Sequence, residues 1–424
     1  MEVATNTKQK YDSYKASGVE WIGEIPEHWK AIRMKFLYKD YSEKNRPNEE
    51  LLSVTQNSGV IPRSWVENRM VMPSGNLSSF KFIKEGDFAI SLRSFEGGLE
   101  YCYHDGIISP AYTVLKKRKS NLEAEYYKYL FKSHSFISEL QTSVVGIRQG
   151  KNISFEELSY SIMPIPPLQE QKAIARFLDQ KTSQLDSAVA QKEALIHLLK
   201  ERKQILIQNA VTKGLDPNVK LKDSGVEWIG EIPEHWEVKR LKFLTRLISE
   251  KVVSKESKLE YVGMENIESW SGKFIPSNSE TEGLANYFEE GDILFGKLRP
   301  YLAKVYVAEK EGICTTEFLV YRVKKMINNS YLFILLLSFE FINLIDSSTY
   351  GSKMPRANSD FIGNQMIPIP PLSEQQAIAK YIETESQKID KALALQQVQI
   401  EKLKEYKQSL IDAAVTGKVK VINK

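Results

Sequence analysis

The chain contains 424 residues, enough for about two to four domains. Its hydrophobic content of 42% excludes overall disorder, and a net charge of +4 permits a polyanionic partner without requiring one. Cys102 and Cys314 are the two cysteines and lie far apart in the sequence, which excludes a disulfide framework and a CxxC metal site.

The N-terminal residues lack the basic, apolar and small-residue order of a signal peptide. The most apolar run, residues 331–345, is shorter than the ~20 residues that cross a bilayer, and Glu340 and Asn343 interrupt it. We therefore expect a soluble, cytoplasmic protein without a membrane-spanning segment.

Two elements of the sequence occur twice. Residues 17–29 read SGVEWIGEIPEHW, and residues 224–236 repeat the same letters about half a chain later. The element Pro-Ile-Pro-Pro-Leu occupies residues 164–168 and 368–372, and Glu-Gln follows one residue after each copy. Two units of the same kind are therefore joined in tandem, which suits a pseudosymmetric target or a pair of identical partners.

Between the repeats, each half has a variable region whose letters differ but whose landmarks persist. Gly86-Asp87 corresponds to Gly291-Asp292, Leu92-Arg93 to Leu298-Arg299, and Gly106-Ile107 to Gly312-Ile313. Short β-type runs bounded by turn residues predict strands at residues 88–92, 112–115, 293–295 and 318–321. Residues 126–140 and 331–345 predict one helix each. Each variable region is therefore predicted to be an α+β globule.

A long amphipathic helix is predicted after each Pro-Ile-Pro-Pro element. Apolar residues recur at heptad spacing. They are Leu178, Leu185, Ala188, Leu195, Leu199 and Leu206 in the first copy, and Ile378, Ile382, Ile389, Leu393, Ile400, Leu403 and Leu410 in the second. Gly214 with Pro217 is predicted to end the first helix, and Gly417 the second.

An apolar seam of this length must be covered, and the two seams are expected to pair with each other. An antiparallel pair would give the molecule a pseudo-twofold axis. The alternative is that each helix packs on its own globule. The predicted fold is α+β, with two similar α/β-type globular domains separated by two long antiparallel coiled-coil helices. The predicted boundaries are 1–163 and 214–367 for the domains, and 164–213 and 368–424 for the helical spacers.

These elements resemble the specificity subunits of type I restriction–modification systems. The resemblance rests on the repeated 13-residue segment, on the Pro-Ile-Pro-Pro-Leu-x-Glu-Gln elements, and on the join from Lys213 to Pro217 that leads into residues 222–228. It covers the whole chain, because the order of parts matches too. In that family, the variable regions are target recognition domains, and each reads one half of a split DNA sequence.

The resemblance also implies partners. The spacer helices would bind two methyltransferase (modification) subunits. These subunits would thereby be placed over adenines in the two half-sites. Restriction subunits, which carry endonuclease and translocase activity, would complete a host-defence complex on double-stranded DNA. Because the two variable regions differ, the implied target is asymmetric.

DNA readers need cations for phosphates and forked donors for base edges. Residues 145–152 and 350–358 are polar, glycine-containing segments, and each holds two cations three residues apart. The predicted DNA-binding residues are Arg63, Arg93, Arg148, Lys151, Lys297, Arg299, Tyr350, Lys353 and Arg356. The alternative is that these are solvated surface residues, and Arg93 and Arg299 have a competing interpretation as ion-pair partners of Asp87 and Asp292.

The repeated segment itself is predicted to be structural. Its aromatic residues are Trp21, Trp29, Trp228 and Trp236. Two domains that recognise different DNA sequences would not use identical residues to contact bases. We therefore expect these indoles in the core rather than stacked on bases. His28 and His235 have no ligand cluster around them and are also expected to be structural.

No catalytic, cofactor or metal site is predicted. Asp223, Glu237 and Lys239 have the residue types of a metal-dependent nuclease, but the first half does not repeat them. There is no Gly-rich loop of the dinucleotide or P-loop form, and Ile rather than Asn or Asp precedes each Pro-Pro pair, unlike the Asn/Asp-Pro-Pro-aromatic motif of amino-methyltransferases. Methyl transfer and cleavage are therefore expected from partner chains.

Two other functions remain open at this stage. The chain would fit a coiled-coil adaptor whose two globular heads bind proteins instead of DNA, because its charge is nearly balanced. It would also fit a specificity chain for a single-polypeptide enzyme that both cuts and methylates, which differs only in its partner.

Overall fold

The computed structural model describes residues 10–66, 77–91, 94–145, 152–277, 283–349, 351 and 353–421. The chain divides into two compact units. The first unit comprises Met1–Lys192 with Val398–Lys424, and the second comprises Glu193–Gln397. Each unit therefore includes part of both long helices, whereas the four segments predicted from the sequence kept each helix whole. Those predicted boundaries stay a prediction.

The first unit combines short strands with helices. Its strands are β1 (Tyr14–Ala16), β2 (Glu24–Pro26), β3 (Lys30–Arg33), β4 (Tyr38–Asp40), β5 (Leu52–Thr55), β6 (Gly59–Pro62), β7 (Lys81–Ile83), β8 (Phe88–Ile90), β9 (Glu100–Tyr101), β10 (Gly106–Ile108), β11 (Thr113–Lys117), β12 (Val144–Val145), β13 (Asn152–Ile153) and β14 (Ile162–Ile165). Its helices are α1 (Ser94–Gly97), α2 (Ala124–Leu130), α3 (His134–Thr142), α4 (Phe155–Leu158) and the start of α5 (Leu168–Lys213). Its 3-10 turns are Met34–Phe36, Arg63–Trp65 and Leu77–Ser79.

The second unit has the same composition of elements. Its strands are β15 (Leu221–Asp223), β16 (Glu231–Pro233), β17 (Glu237–Arg240), β18 (Thr245–Ile248), β19 (Lys251–Val253), β20 (Tyr261–Val262), β21 (Leu284–Phe288), β22 (Ile293–Gly296), β23 (Val305–Val307), β24 (Gly312–Thr315), β25 (Phe318–Val323) and β26 (Met366–Ile369). Its helices are α6 (Leu241–Leu244), α7 (Asn329–Leu336), α8 (Phe339–Ser347), α9 (Ser359–Asn364) and the start of α10 (Leu372–Val415). Its 3-10 turns are Ser254–Glu256, Met264–Asn266 and Pro300–Leu302.

The central sheet has the same strand order in both units. It runs β4-β11-β8-β9 in the first unit and β18-β25-β22-β23 in the second, with every neighbouring pair antiparallel. The repeated Gly-Asp landmark is the turn that enters β8 and β22. Asp87 accepts a hydrogen bond from the amide of Lys84, and Asp292 accepts one from the amide of Glu289. Four strands predicted from the sequence are thus confirmed within one or two residues at each described end.

The second sheet differs between the units. In the second unit, it has four strands in the order β19-β21-β24-β20. In the first unit, β7 pairs with β10, β5 pairs with β6, and isolated parallel bridges join Leu51 to Ile107 and Val60 to Cys102. The units therefore share one sheet closely and differ in the other.

The helix predicted after each central sheet is in fact two helices. Residues 126–140 fall on α2 and α3, and residues 331–345 fall on α7 and α8. Ser133 lies at the first break, and its hydroxyl caps α3 by accepting a hydrogen bond from the amide of Phe136. Ser338 occupies the same position before α8, and there the two helices bend by 58°. The prediction of one helix per half was wrong.

Helices α7 and α8 are apolar enough to be compared with membrane-spanning segments. In the part of the chain that the structure describes, no single helix is long and apolar enough to cross a bilayer. The bent pair α7 and α8 satisfies the length and composition test only when the two helices are taken together. Tyr331, Leu332, Leu335, Phe341 and Ile345 of this pair are completely buried in the core of the second unit.

Each core joins the tryptophan-rich segment to the long helices. Trp29 and Trp236 are completely buried, which confirms the structural role predicted for them. Trp21 and Trp228 are half-buried and pack edge-on against aromatic rings of α3 and α8. Within the first unit, the hydroxyl of Tyr126 donates to the carbonyl of Val415 over 2.7 Å.

The long helices run antiparallel within each unit. In the first unit, Asp186 bonds to Lys407 over 2.7 Å, and Lys192 bonds to Gln399. Residue numbers rise on α5 while they fall on α10, which is the antiparallel sense. In the second unit, Lys203 bonds to Asp390 over 2.7 Å. The predicted fold class, two α+β domains with antiparallel coiled-coil helices, is confirmed.

The predicted heptad seam is correct in most positions. Leu178, Ile389, Ile400 and Leu410 are buried between the helices or against a core. Leu195 was assigned to the seam but is 41% exposed, and the half-buried side chain in its place is that of the next residue, Ile196. An α-helix has 3.6 residues per turn, so its face drifts relative to a strict heptad and the seam moves by one position.

Candidate nucleic-acid interface

Four of the predicted DNA-binding cations lie together on the second unit. The amide of Arg299 donates to the carbonyl of Pro355 over 2.8 Å, and the amide of Ala357 donates to the carbonyl of Lys297 over 2.9 Å. These bonds hold the segment 353–357 alongside the segment that follows β22. Lys297, Arg299, Lys353 and Arg356, here called the cation cluster, are therefore neighbours although their two segments are far apart in sequence.

The cation cluster is open to solvent and only partly neutralised. Arg299, Lys353 and Arg356 are exposed, and Lys297 is half-buried. The guanidinium of Arg356 makes a forked contact with Glu317, with Nη2 at 3.0 Å and Nε at 3.1 Å from the two carboxylate oxygens. Hydrogen bonds and attraction from Glu317 raise the pKa of Arg356 above its ordinary value. Glu317, which the sequence analysis missed, fixes the orientation of this guanidinium.

Arg299 does not pair with Asp292. The carboxylate of Asp292 instead accepts hydrogen bonds from Arg322 on β25, over 2.9 and 2.8 Å. Arg299 directs its guanidinium toward the carbonyl of Lys353, at 3.4 Å. The competing interpretation of Arg299 as an ion-pair partner of Asp292 was therefore wrong. The signal that could have identified Arg322 is its place on the strand that neighbours β22.

The corresponding position of the first unit is held by a lysine. Lys116 on β11 lies 3.9 Å from Asp87, and burial raises the pKa of Asp87 to about 6. Arg93, whose competing interpretation is an ion pair with Asp87, lies outside the described residues, as do Arg148, Lys151 and Tyr350. Their predicted contact with DNA stays a prediction.

In the first unit, Arg63 belongs to the same 3-10 turn as an exposed aromatic residue. Arg63 is half-buried and begins the 3-10 turn Arg63–Trp65. Trp65 is 63% exposed and packs edge-on against His104, with ring centroids 4.9 Å apart. Tyr103, the neighbour of His104, is 41% exposed. Exposed rings on the same turn as a cation are typical of surfaces that contact nucleic acid, and no motif in the sequence predicted these rings.

The two histidines of the repeated segment have carboxylate partners, and both cysteines are buried. His28 bonds to Glu170 over 2.8 Å, and His235 bonds to Glu374 over 2.7 Å, so each imidazole ties the repeated segment to the first turn of a long helix. Burial raises the pKa of both Cys102 and Cys314 to about 12. Within the described ranges, no group of three or more His, Cys, Asp or Glu side chains is arranged to hold a metal ion.

Comparison with known proteins agrees with this arrangement. The family model "Type I restriction modification DNA specificity domain" matches the chain twice, at residues 33–197 and 233–405. The MjaVIII specificity subunit of a type I restriction enzyme from Methanocaldococcus jannaschii is 26% identical, and the match covers 94% of this chain and 95% of that protein. The EcoDI specificity subunit from Escherichia coli is 23% identical over 85% of this chain and 82% of its own length.

Solved structures show the same fold. One, described as the structural basis of complex assembly and conformational transition of the type I R-M system, has a TM-score of 0.68 at 16% identity and covers 92% of this chain and 98% of its own. The HsdS subunit from Thermoanaerobacter tengcongensis has a TM-score of 0.56 at 16% identity and covers 93% and 98%. Because the family model accounts for most of the sequence in two copies, this chain belongs to the type I restriction–modification DNA specificity family.

Proposed function

We propose that this chain selects the DNA sequence on which a type I restriction–modification complex acts, as part of host defence in the cytoplasm. Each unit would read one half of a split target. The observation that carries this proposal is the pair of specificity domains, which share the central sheet order but differ in the second sheet and in their exposed side chains. Because the two domains differ, the proposed DNA target is asymmetric.

The contacts proposed for DNA are of two kinds, those with phosphates and those with bases. The cation cluster on the second unit would bind phosphates, and Arg63, Arg93, Arg148 and Lys151 would serve the first unit. Tyr350, which lies outside the described residues, is also proposed to contact DNA. Phosphate contacts set the position of a protein on the duplex, whereas base contacts set its sequence preference. Glu317 occupies the Nε and Nη2 side of the Arg356 guanidinium, which leaves its Nη1 and Nη2 end for a bidentate contact with DNA.

The long helices would bind the modification subunits. Leu195, Leu198, Ile205 and Leu395 are 41–61% exposed on the helical part of the second unit, and Val398 and Tyr406 are 45–49% exposed on that of the first. Apolar side chains grouped on otherwise polar helices are typical of protein interfaces. Since each unit has such a surface, we propose two methyltransferase subunits, with restriction subunits completing the assembly. Methyl transfer and cleavage would then belong to these partners.

Methylome sequencing tests this function. In the host strain, deletion of the gene should abolish methylation at one bipartite motif, and complementation should restore it. Replacing residues 245–365 with the corresponding region of a relative should change one half of the motif and leave the other half and the gap unchanged. The proposal is contradicted if deletion abolishes methylation at no motif, or if the replacement changes both halves of the motif.

A further inference from the structure

The turn at residues 299–303 has a strained backbone. Arg299 and Ala303 have φ angles of 50° and 48°, in the left-handed region that residues with a Cβ rarely adopt. Trp270, with a φ of 64°, donates its amide to the carbonyl of Ala303 over 3.1 Å. Three of the four non-glycine residues with positive φ in the described chain therefore meet here. Such strain persists only where the surrounding structure imposes it, and it clusters at functional sites.

Several bonds hold this turn in place. Pro300 is buried and fixes its own φ angle. The amide of Leu302 donates to the carbonyl of Arg299 over 2.9 Å, and the amide of Ala303 donates to that of Pro300 over 2.8 Å. The amide of Arg299 is bonded to Pro355, in the segment that carries Lys353 and Arg356. The turn is therefore rigid and is tied to the cation cluster.

The side chain that this turn presents is Tyr301. It is 46% exposed, and within the described ranges its hydroxyl has no hydrogen-bond partner. Arg299 precedes it by two residues, and the bond from Arg299 to Pro355 brings Lys353 and Arg356 alongside the turn. A tyrosine ring offers a large contact area with only two side-chain torsions to fix, so a rigid turn can present it at low entropic cost.

We propose that Tyr301 is a sequence-reading residue, whose ring packs against bases of the half-site read by the second unit while the neighbouring cations hold the phosphates. This inference rests on the proposed function and deepens it. The cation cluster, which is bonded to this turn, favours DNA over a protein surface, since it complements a phosphate backbone. A ring in this setting contacts a thymine methyl group or enters between partly opened base pairs.

The test uses the complex of this chain with its methyltransferase subunits, on a duplex with the methylated motif and on a scrambled duplex. Tyr301→Ala should weaken binding to the motif about tenfold and leave binding to the scrambled duplex and the salt dependence unchanged. Tyr301→Phe should stay within about twofold of wild type, because it keeps the ring. Lys353→Ala should weaken binding to both duplexes and lower the slope of log K against log salt by about one.

The control is Phe243→Ala, which removes a ring that is 59% exposed in the same unit and also lies near a lysine, with Lys242 Nζ at 5.6 Å from the ring centroid. It should bind both duplexes as tightly as wild type does.

In cells, Tyr301→Ala should relax the methylated motif in one half only. The inference is overturned if Tyr301→Ala binds the motif like wild type, if Tyr301→Phe loses as much as Tyr301→Ala, or if Tyr301→Ala impairs only subunit assembly. Wild-type complex that binds both duplexes equally would overturn the proposed function itself.

Discussion

Glu100 on β9 is a carboxylate with almost no access to water. Its side chain is 1% exposed, and one of its oxygens accepts a hydrogen bond from Lys132 Nζ over 2.7 Å. The same ammonium donates to the carbonyls of Gln56 and Gly97, so Lys132 joins three segments of the first unit. Burial raises the pKa of Glu100 to about 7, and attraction to Lys132 only partly opposes this.

This pKa predicts a pH-dependent stability. Between about pH 4.5 and 7, the unfolded chain has lost the proton of Glu100 while the folded chain retains it, so stability falls as pH rises through this window. Glu100→Gln removes this titration. Relative to the variant, wild type should lose on the order of 2–3 kcal/mol of unfolding free energy across the window. Urea denaturation of both proteins at pH 4.5, 6 and 7.5 measures the difference, and a constant difference at all three values would contradict the prediction.

At the scale of elements, a buried glutamine fastens the start of each long helix to its globular domain. Gln171 donates to the carbonyls of Pro166 and Asn121 and accepts from the amide of Glu123, over 2.8, 3.2 and 2.8 Å. Gln375 does the same with Pro370, Met326 and Asn328, over 2.8, 3.1 and 2.7 Å. Both glutamines are completely buried. The Glu-Gln pair of the repeated element therefore has a specific structural role.

Gln375→Leu should therefore be strongly destabilising. It removes the partner of the buried carbonyl of Pro370 and of the partly buried Met326 carbonyl and Asn328 amide, at a cost of about 2–4 kcal/mol in unfolding free energy. Gln376→Leu is the matched control, because the neighbouring Gln376 is exposed, and it should change stability by less than about 0.5 kcal/mol. Thermal and urea unfolding compare the two variants. If the two variants are equally stable, the hydrogen bonds of Gln375 do not fasten the helix to its domain.

At the scale of the whole molecule, the first unit is built from both ends of the chain. Leu410, Ile411, Ala414 and Val415 of α10 are buried in the core that Trp29 occupies. Gly417, with a φ of 77°, closes this contact, since a Cβ there would lie 2.4 Å from Pro26. The second unit is a continuous segment, Glu193–Gln397, and its core includes its own portions of α5 and α10.

This organisation predicts unequal behaviour of fragments. Residues 1–192 alone should fail to fold cooperatively, because they lack three large aliphatic side chains worth about 5–9 kcal/mol of burial, comparable to the stability of a domain. A peptide of residues 398–424 should restore a cooperative transition. Residues 193–397 should melt cooperatively without additions. Circular dichroism on heating measures all three samples, and a cooperative melt of residues 1–192 alone would contradict the prediction.

The sequence by itself determined the tandem repeat, the strands around the Gly-Asp turns, the burial of Trp29 and Trp236, and the two long helices ending near Gly214 and Gly417. These features depend on local spacing and on side-chain polarity, which can be read from letters. It also named Arg299 and Arg356 as candidate DNA-binding residues, the second because two cations on a polar, glycine-containing segment form a recognisable pattern.

Only the tertiary structure decided how those residues meet. The break between α7 and α8, the pairing of Arg322 rather than Arg299 with Asp292, and the fork of Arg356 on Glu317 all depend on contacts between segments distant in sequence. The left-handed turn that presents Tyr301 depends on bonds to Trp270 and Pro355. Long-range hydrogen bonds override the local preferences of Arg299 and Ala303, and such bonds exist only once the sheet and its neighbouring segments have come together.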